Sequence, residues 1–114
     1  MARDKPIDWR GTSFEDLSAF PEDARKKGGR DLRKVQRGLM PSDWKPFHDI
    51  GRGTCEIRIA CADGVFRIMY VAKFAEAVYV LHCFQKKGRK TSEHDKLVAK
   101  ERYRNVIAER SQQK

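Results

Sequence analysis

Between residues 58 and 87 the chain carries Arg58, Arg67, Tyr70, His82, Lys86 and Lys87, side chains of the kinds that bind a phosphodiester and move protons around it. Arg89 and Lys90 follow at once and extend the basic run. Cutting RNA without a metal takes three things. A proton must leave a 2′-hydroxyl, a phosphorane that gains negative charge must be stabilised, and the departing 5′-oxygen must be protonated. Arginine suits the second task, because its guanidinium stays charged and grips two phosphate oxygens at once. Arg58 and Arg67 on neighbouring strands would clamp one phosphate in this way. Lys86 and Lys87 would hold backbone or transfer protons. A free lysine is a poor base at neutral pH, yet crowding by other cations and desolvation both lower its pKa.

Each of these residues also has an ordinary use. A run such as KKGRK commonly serves as a solvated or phosphate-neutralising loop. Tyr70 suits a core aromatic with a wet hydroxyl, and His82, among Val78, Val80 and Phe84, suits a hydrogen-bonded packing histidine. Glu56 pairs most simply with Arg58 or a neighbouring lysine at the surface, an arrangement worth about 1 kcal/mol or less. No paired carboxylates, glycine-rich phosphate loop or catalytic metal cluster is visible in the sequence.

The elements that must position these side chains are legible from periodicity. CEIRIA, VFRIMYVA and AVYVLHCFQKK alternate with period two, separated by Asp63-Gly64 and by Lys73 to Glu76, and read as consecutive antiparallel strands. Glu56 and Arg58 oppose Ile57 and Ile59, and Cys55 and Cys61 share the face of those isoleucines. Arg67 shares a face with Met69 and Val71, opposite Phe66, Ile68 and Tyr70. In the third strand Val78, Val80, His82 and Phe84 take one side and Tyr79, Leu81 and Cys83 the other. Upstream, Ile7 to Trp9 is a candidate first strand. Thr12 and Glu15 fit a capping box before a short helix with Phe14, Leu17 and Phe20. Pro21 ends that helix and can occupy the first turn of a second, which runs through Ala24, Leu32 and Val35 toward Leu39, with Gly38 as its cap. Gly28-Gly29 costs this helix about 1 kcal/mol per glycine and invites a break or bend. Met40 to Thr54, with Pro41, Pro46, Gly51 and Gly53, reads as a connecting loop that also carries Trp44 and His48. Thr91 or Ser92 caps a last helix with Leu97, Val98, Ala99, Tyr103, Val106 and Ile107 on its apolar side, and Ser111 to Lys114 should fray. The order β, α, α, β, β, β, α gives an α+β fold of helices on a small sheet.

Composition narrows the partners. A chain of 114 residues fits one domain, 1–114, around one core. Its 25 Lys and Arg against 16 Asp and Glu leave a net charge of +9, which favours a polyanion: nucleic acid, ribosome, anionic membrane or acidic protein. No apolar run reaches the roughly 18–20 residues of a membrane span, and MARDKPIDW has no signal core, so the expected compartment is cytoplasm. Three cysteines without CxxC pairs support neither a disulfide framework nor a zinc site.

Taken together, GTCEIRIA, DGVFRIMYVA, VYVLHCFQKKGRKT and LVAKERY resemble the Gp49-like branch of the RelE/HigB toxin superfamily. Glu-x-Arg on one strand, Arg-x-x-Tyr on the next and Phe-x-Lys-Lys at the end of the third form the specific combination. The resemblance implies a RelE-like β-α-α-β-β-β-α fold and a toxin of a type II toxin–antitoxin pair that cleaves messenger RNA on the ribosome. It also implies a small antitoxin encoded alongside, often with a helix-turn-helix domain, and no cofactor or metal. On this resemblance Arg58 and Arg67 are the phosphate contacts. Lys86 and Lys87 serve catalysis or substrate binding, Tyr70 is the strand tyrosine, and Arg89 and Lys90 bind RNA or ribosome. His82 and Tyr103 are further candidates for proton transfer. The competing reading is a protein that binds RNA or antitoxin without chemistry, including a degenerate toxin.

Overall fold

A computed structural model describes residues 4–113. The elements are β1 (Ile7–Trp9), α1 (Ser13–Ser18), α2 (Glu22–Gln36), β2 (Trp44–Pro46), β3 (Thr54–Cys61), β4 (Gly64–Val71), β5 (Val78–Lys86) and α3 (Glu93–Gln112). The sheet has five strands in the order β1-β5-β4-β3-β2. β1 runs parallel to β5 and every other neighbouring pair is antiparallel, so the α+β architecture expected from the element order is present with a mixed sheet.

The α2 helix survives its two glycines unbroken. Glu22 and Asp23 sit in its first turn and Arg33 and Lys34 in its last, each complementing the local end of the helix dipole. Pro21 stands just before the helix as its cap, its carbonyl accepting the Arg25 N–H at 2.9 Å. At the other end Gly38 adopts a φ of 82°, and the Leu39 and Gly38 amides donate to the carbonyls of Lys34 and Val35, the two bonds of a Schellman cap. Gly28 is explained by approach rather than turning. A Cβ there would meet Ile68 Cδ1 at 3.0 Å and Ile59 and Leu17 at 3.3 Å, so the bare helix backbone lies directly on the sheet. Gly29 faces open space.

Two apolar layers hold the sheet. On one face Leu17, Phe20, Ala24, Leu32 and Val35 from α1 and α2 pack on Ile57, Ile59, Phe66, Ile68, Tyr70, Val78, Val80 and Cys83. On the other, Ala99 and Val106 of α3 pack with Met69, Val71, Tyr79, Leu81 and Phe84. This second layer draws its strand residues from β4 and β5, so α3 leaves the same face of β2 and β3 to polar side chains.

β5 departs from simple alternation. Met69 pairs with His82 but Tyr70 pairs with Val80, leaving Leu81 as an extra residue in a bulge. Residues beyond the bulge change phase, so His82, Phe84 and Lys86 face the α3 side and share it with Tyr79 and Leu81. This corrects the expectation that His82 and Phe84 stand with Val78 and Val80. Arg102 on α3 satisfies the bulge, donating from Nη1 to the Leu81 carbonyl at 3.0 Å and from Nη2 to Thr12 Oγ1 at 3.1 Å.

Four local expectations also change. The supposed loop 40–54 contains β2, whose three residues are too few to display a period. The Thr12 hydroxyl donates to the Asp16 carboxylate at 2.8 Å and the side chain makes no bond to a helix amide, so the capping box is not formed. Leu97 is 59% exposed, outside the apolar side of α3. That helix continues through Ser111 and Gln112, where fraying was expected, while Lys114 lies outside the described residues. Ser92 provides its cap, accepting the Asp95 N–H at 3.1 Å.

The two glycines should respond oppositely to substitution. Gly29→Ala is expected to stabilise the protein by about 1 kcal/mol through helix propensity, whereas Gly28→Leu should cost about 1–3 kcal/mol by overpacking the sheet. Urea denaturation midpoints measure both, and a stabilising Gly28→Leu would refute the close approach of α2.

Candidate phosphate-binding site

The open part of the α3 face gathers charge from four strands. Lys45 on β2 lies opposite Glu56 on β3, and Arg58 on β3 lies directly opposite Arg67 on β4. Lys86 at the end of β5 is brought to this face by the bulge and lies opposite Val65. Four cations therefore surround one carboxylate. Like charges placed directly across a ladder, as Arg58 and Arg67 are, weaken a sheet unless an anion lies between them.

Glu56 and Arg67 form the floor. They are 1% and 4% exposed, with Arg67 Nη1 3.6 Å from Glu56 Oε1 and Lys45 Nζ 3.9 Å from the same oxygen. These are ion-pair distances rather than hydrogen bonds. Both Glu56 oxygens and the Nε and Nη1 of Arg67 lack a hydrogen-bond partner among the described residues. Burial raises the Glu56 pKa above its ordinary range, opposed by the surrounding cations, Arg67 foremost. Burial lowers that of Arg67, opposed by Glu56. The surface reading of Glu56 is therefore corrected: its principal partner is Arg67, diagonally across the ladder, and neither is at the surface.

Arg58 is exposed above this floor, and Lys86 is half-buried at its rim. The Lys86 pKa is lowered by desolvation first and then by repulsion from Arg67 and Lys45, with Glu56 pulling the other way. A groove of about 510 Å³ beside it is lined by Phe84, Lys86, Lys87, Lys90, Ser92 and Asp95 among others, which connects the site to the basic connection ahead of α3. Lys87, Arg89 and Lys90 are exposed on that connection.

The remaining candidates stand apart from the charge cluster. Tyr70 is on the opposite face, 2% exposed in the α1–α2 layer, and burial followed by the neighbouring Cys55 raises its pKa. Tyr70 thus lies across the sheet from Arg67, which is on the α3 face. His82 is on the site face, 7% exposed and stacked on Phe84 at 4.8 Å between centroids. Its Nε2 lies 2.7 Å from Asp95 Oδ1, which joins β5 to the first turn of α3. Desolvation lowers its pKa, with Asp95 opposing. Tyr103 donates to the Arg52 carbonyl at 2.8 Å and lies so close to Gly51 that a Cβ there would be 2.4 Å from its ring, so it pins the connection before β3. His48 is exposed in that same connection, and Trp44 stands on β2.

Lys45 is the contributor that sequence reading missed. Its only local signal was Pro46, a residue compatible with an edge strand, inside a segment dominated by turn residues. Among the described residues no group of three or more His, Cys, Asp or Glu is placed to hold a metal, and no helix is long and apolar enough to cross a membrane.

A search of curated proteins returns no match. A family model described as phage derived protein Gp49-like matches residues 15–104, a span that includes every charged member of the cluster and the Glu-x-Arg, Arg-x-x-Tyr and Phe-x-Lys-Lys motifs. With that match over most of its length, the chain belongs to the Gp49-like family of phage-derived proteins.

Proposed function

We propose that the protein is the toxin of a type II toxin–antitoxin pair and acts as a ribosome-dependent, metal-independent endoribonuclease on messenger RNA. Its partners on this reading are the ribosome, the message and a cognate antitoxin encoded alongside, and its compartment is the cytoplasm. Family membership supports the toxin role. The observation that carries the chemistry is the juxtaposition of Arg58 and Arg67 across one ladder, with Lys86 delivered to the same open face.

In the reaction the 2′-oxygen loses its proton and attacks the adjacent phosphorus, and the bond to the 5′-oxygen breaks. A 2′,3′-cyclic phosphate and a 5′-hydroxyl result. Arg58, exposed and unpaired among the described residues, takes the phosphate oxygens from above while Arg67 presents its charge from the floor. Lys86, its pKa drawn down by desolvation and by Arg67 and Lys45, is the group suited to a proton transfer. Glu56 is too buried to touch the RNA. It acts as a positioning residue, aligning Arg67 and limiting the repulsion among the cations.

Arg58→Ala and Lys86→Ala test this at positions where the fold does not depend on the side chain. Each should lower ribosome-dependent cleavage by about 10²-fold, read as loss of new 5′ ends by primer extension in a translation reaction, with circular dichroism unchanged. Full cleavage by both variants would sink the assignment. An intact message with wild-type protein would instead favour a binding protein without chemistry.

Glu56 sets a pH dependence of stability. Because burial lifts its pKa above the ordinary 4.5, its stabilising contribution is full below that value and is lost as pH rises through the raised one. Glu56→Gln removes this loss. The stability of Glu56→Gln relative to wild type should therefore increase as pH rises above the ordinary 4.5 in urea titrations, whatever its offset at either end. Parallel curves would show that the carboxylate titrates normally.

A further inference from the structure

Beyond the cluster, a second groove of about 440 Å³ lies between α2 and the outer edge of β3. Its cations are Lys27, Arg30 and Lys34 from α2 and Arg58 from β3. β2 pairs with β3 only as far as Ile57, so from Arg58 onward that edge has no strand beside it. The edge is blunted instead by single contacts: the Arg58 N–H donates to the Asp43 carbonyl at 2.8 Å, and Lys27 Nζ donates to the Ala60 carbonyl at 3.2 Å. Arg58 thus belongs to two places at once, lining this groove while its charge acts on Glu56, Arg67 and Lys86 around the edge.

The groove is net cationic. Its acids are Asp31 and Asp43. Asp31 is already engaged, accepting from the Ser42 amide and hydroxyl at 3.2 Å, with Lys34 Nζ 3.8 Å away. Arg30 is exposed and has no acid within ion-pair distance among the described residues. Next along the chain from Asp43 of the lining is Trp44, the cross-strand partner of Ile57 and therefore on the α2 side of the sheet, 37% exposed. A line of cations next to a solvent-facing indole is the pairing that single-stranded nucleic acid uses, phosphates on the charges and a base on the ring.

We propose that this groove is a subsite for single-stranded RNA flanking the scissile phosphate: the strand passes Arg58, turns around the free edge of β3, lays its phosphates along Lys27 and Arg30, and stacks a base on Trp44. This rests on the cluster being the RNA-cleaving site and extends the substrate from one phosphodiester to a bound strand.

The test uses full-length protein and non-cleavable 2′-O-methyl RNA, a trinucleotide and a strand of about twelve nucleotides, with binding followed by fluorescence anisotropy. Wild type should hold the longer strand more tightly. Arg30→Ala and Trp44→Ala should each weaken the longer strand by about tenfold and leave the trinucleotide unaffected, and Arg30→Ala should reduce the salt dependence of the longer strand. Arg58→Ala should weaken both. If both lengths bind equally and neither Arg30→Ala nor Trp44→Ala matters, the subsite is refuted while the cluster stands. Should neither RNA bind wild type, the subsite is refuted, while the cluster reading stands or falls on the ribosome-dependent cleavage assay. If a duplex binds more tightly than the single strand and only the duplex is lost in Arg30→Ala, the groove serves another RNA form and the flanking-strand proposal is wrong.

Discussion

Taking the Glu56 carboxylate out of water costs several kcal/mol before any partner is counted, and an ion pair repays that cost only where its geometry is good. At 3.6 Å from Arg67 and 3.9 Å from Lys45, with its oxygens free of hydrogen bonds among the described residues, Glu56 is not optimised for stability. Its place makes sense in terms of what it allows. Arg58, Arg67, Lys45 and Lys86 on adjoining strands would repel one another across the ladder, and a buried negative charge beneath them lets the four be held together while Arg58 stays free above. The site is thus built with positive charge in excess of what the cluster's own carboxylate neutralises, a condition that any bound anion would relieve.

Keeping that face open requires that α3 be held to one side. Its apolar contacts reach Met69, Val71, Tyr79, Leu81 and Phe84, and its polar anchors lie at intervals along the same strand pair. Asp95 meets His82 at the N-terminal turn, Arg102 meets the Leu81 carbonyl, and Arg110 meets Glu76 and lies 3.6 Å over the Phe74 ring. Tyr103 reaches sideways to the Arg52 carbonyl and so fixes the approach to β3 without covering it. The helix is fastened over β4 and β5 and leaves β2 and β3 uncovered.

The long strands were legible because each shows several turns of a period-two pattern, and that pattern on either side of the Asp63-Gly64 turn put Arg58 and Arg67 on neighbouring strands; their direct pairing is seen in the sheet register. β2 was not legible, since Trp44, Lys45 and Pro46 offer no alternation and are flanked by turn residues. Glu56 was misread for a different reason. Its burial depends on a lysine from β2 and an arginine diagonally across from it, neither adjacent in sequence, and a charged residue alternating with isoleucines ordinarily faces water. The phase change in β5 was hidden by composition, because Val78 to Phe84 contains apolar or aromatic residues on both sides and so carries no alternation to interrupt. The helix caps at Gly38 and Ser92 depend on local chain geometry alone and were readable for that reason.

The bulge at Leu81 also has a genetic meaning. It absorbs one extra residue: Val80 and His82 stand on opposite faces across it, so the residues after it stay in step with β4. Losing the Leu81 codon would therefore leave Lys86 on its face, whereas losing one codon between His82 and Lys86 would exchange the face of Lys86 while preserving the reading frame. A compensating codon gained before Lys86 restores the original order. One in-frame indel therefore takes the Lys86 charge off the open face and a second returns it, a route that point substitution, which must abolish charges individually, does not provide.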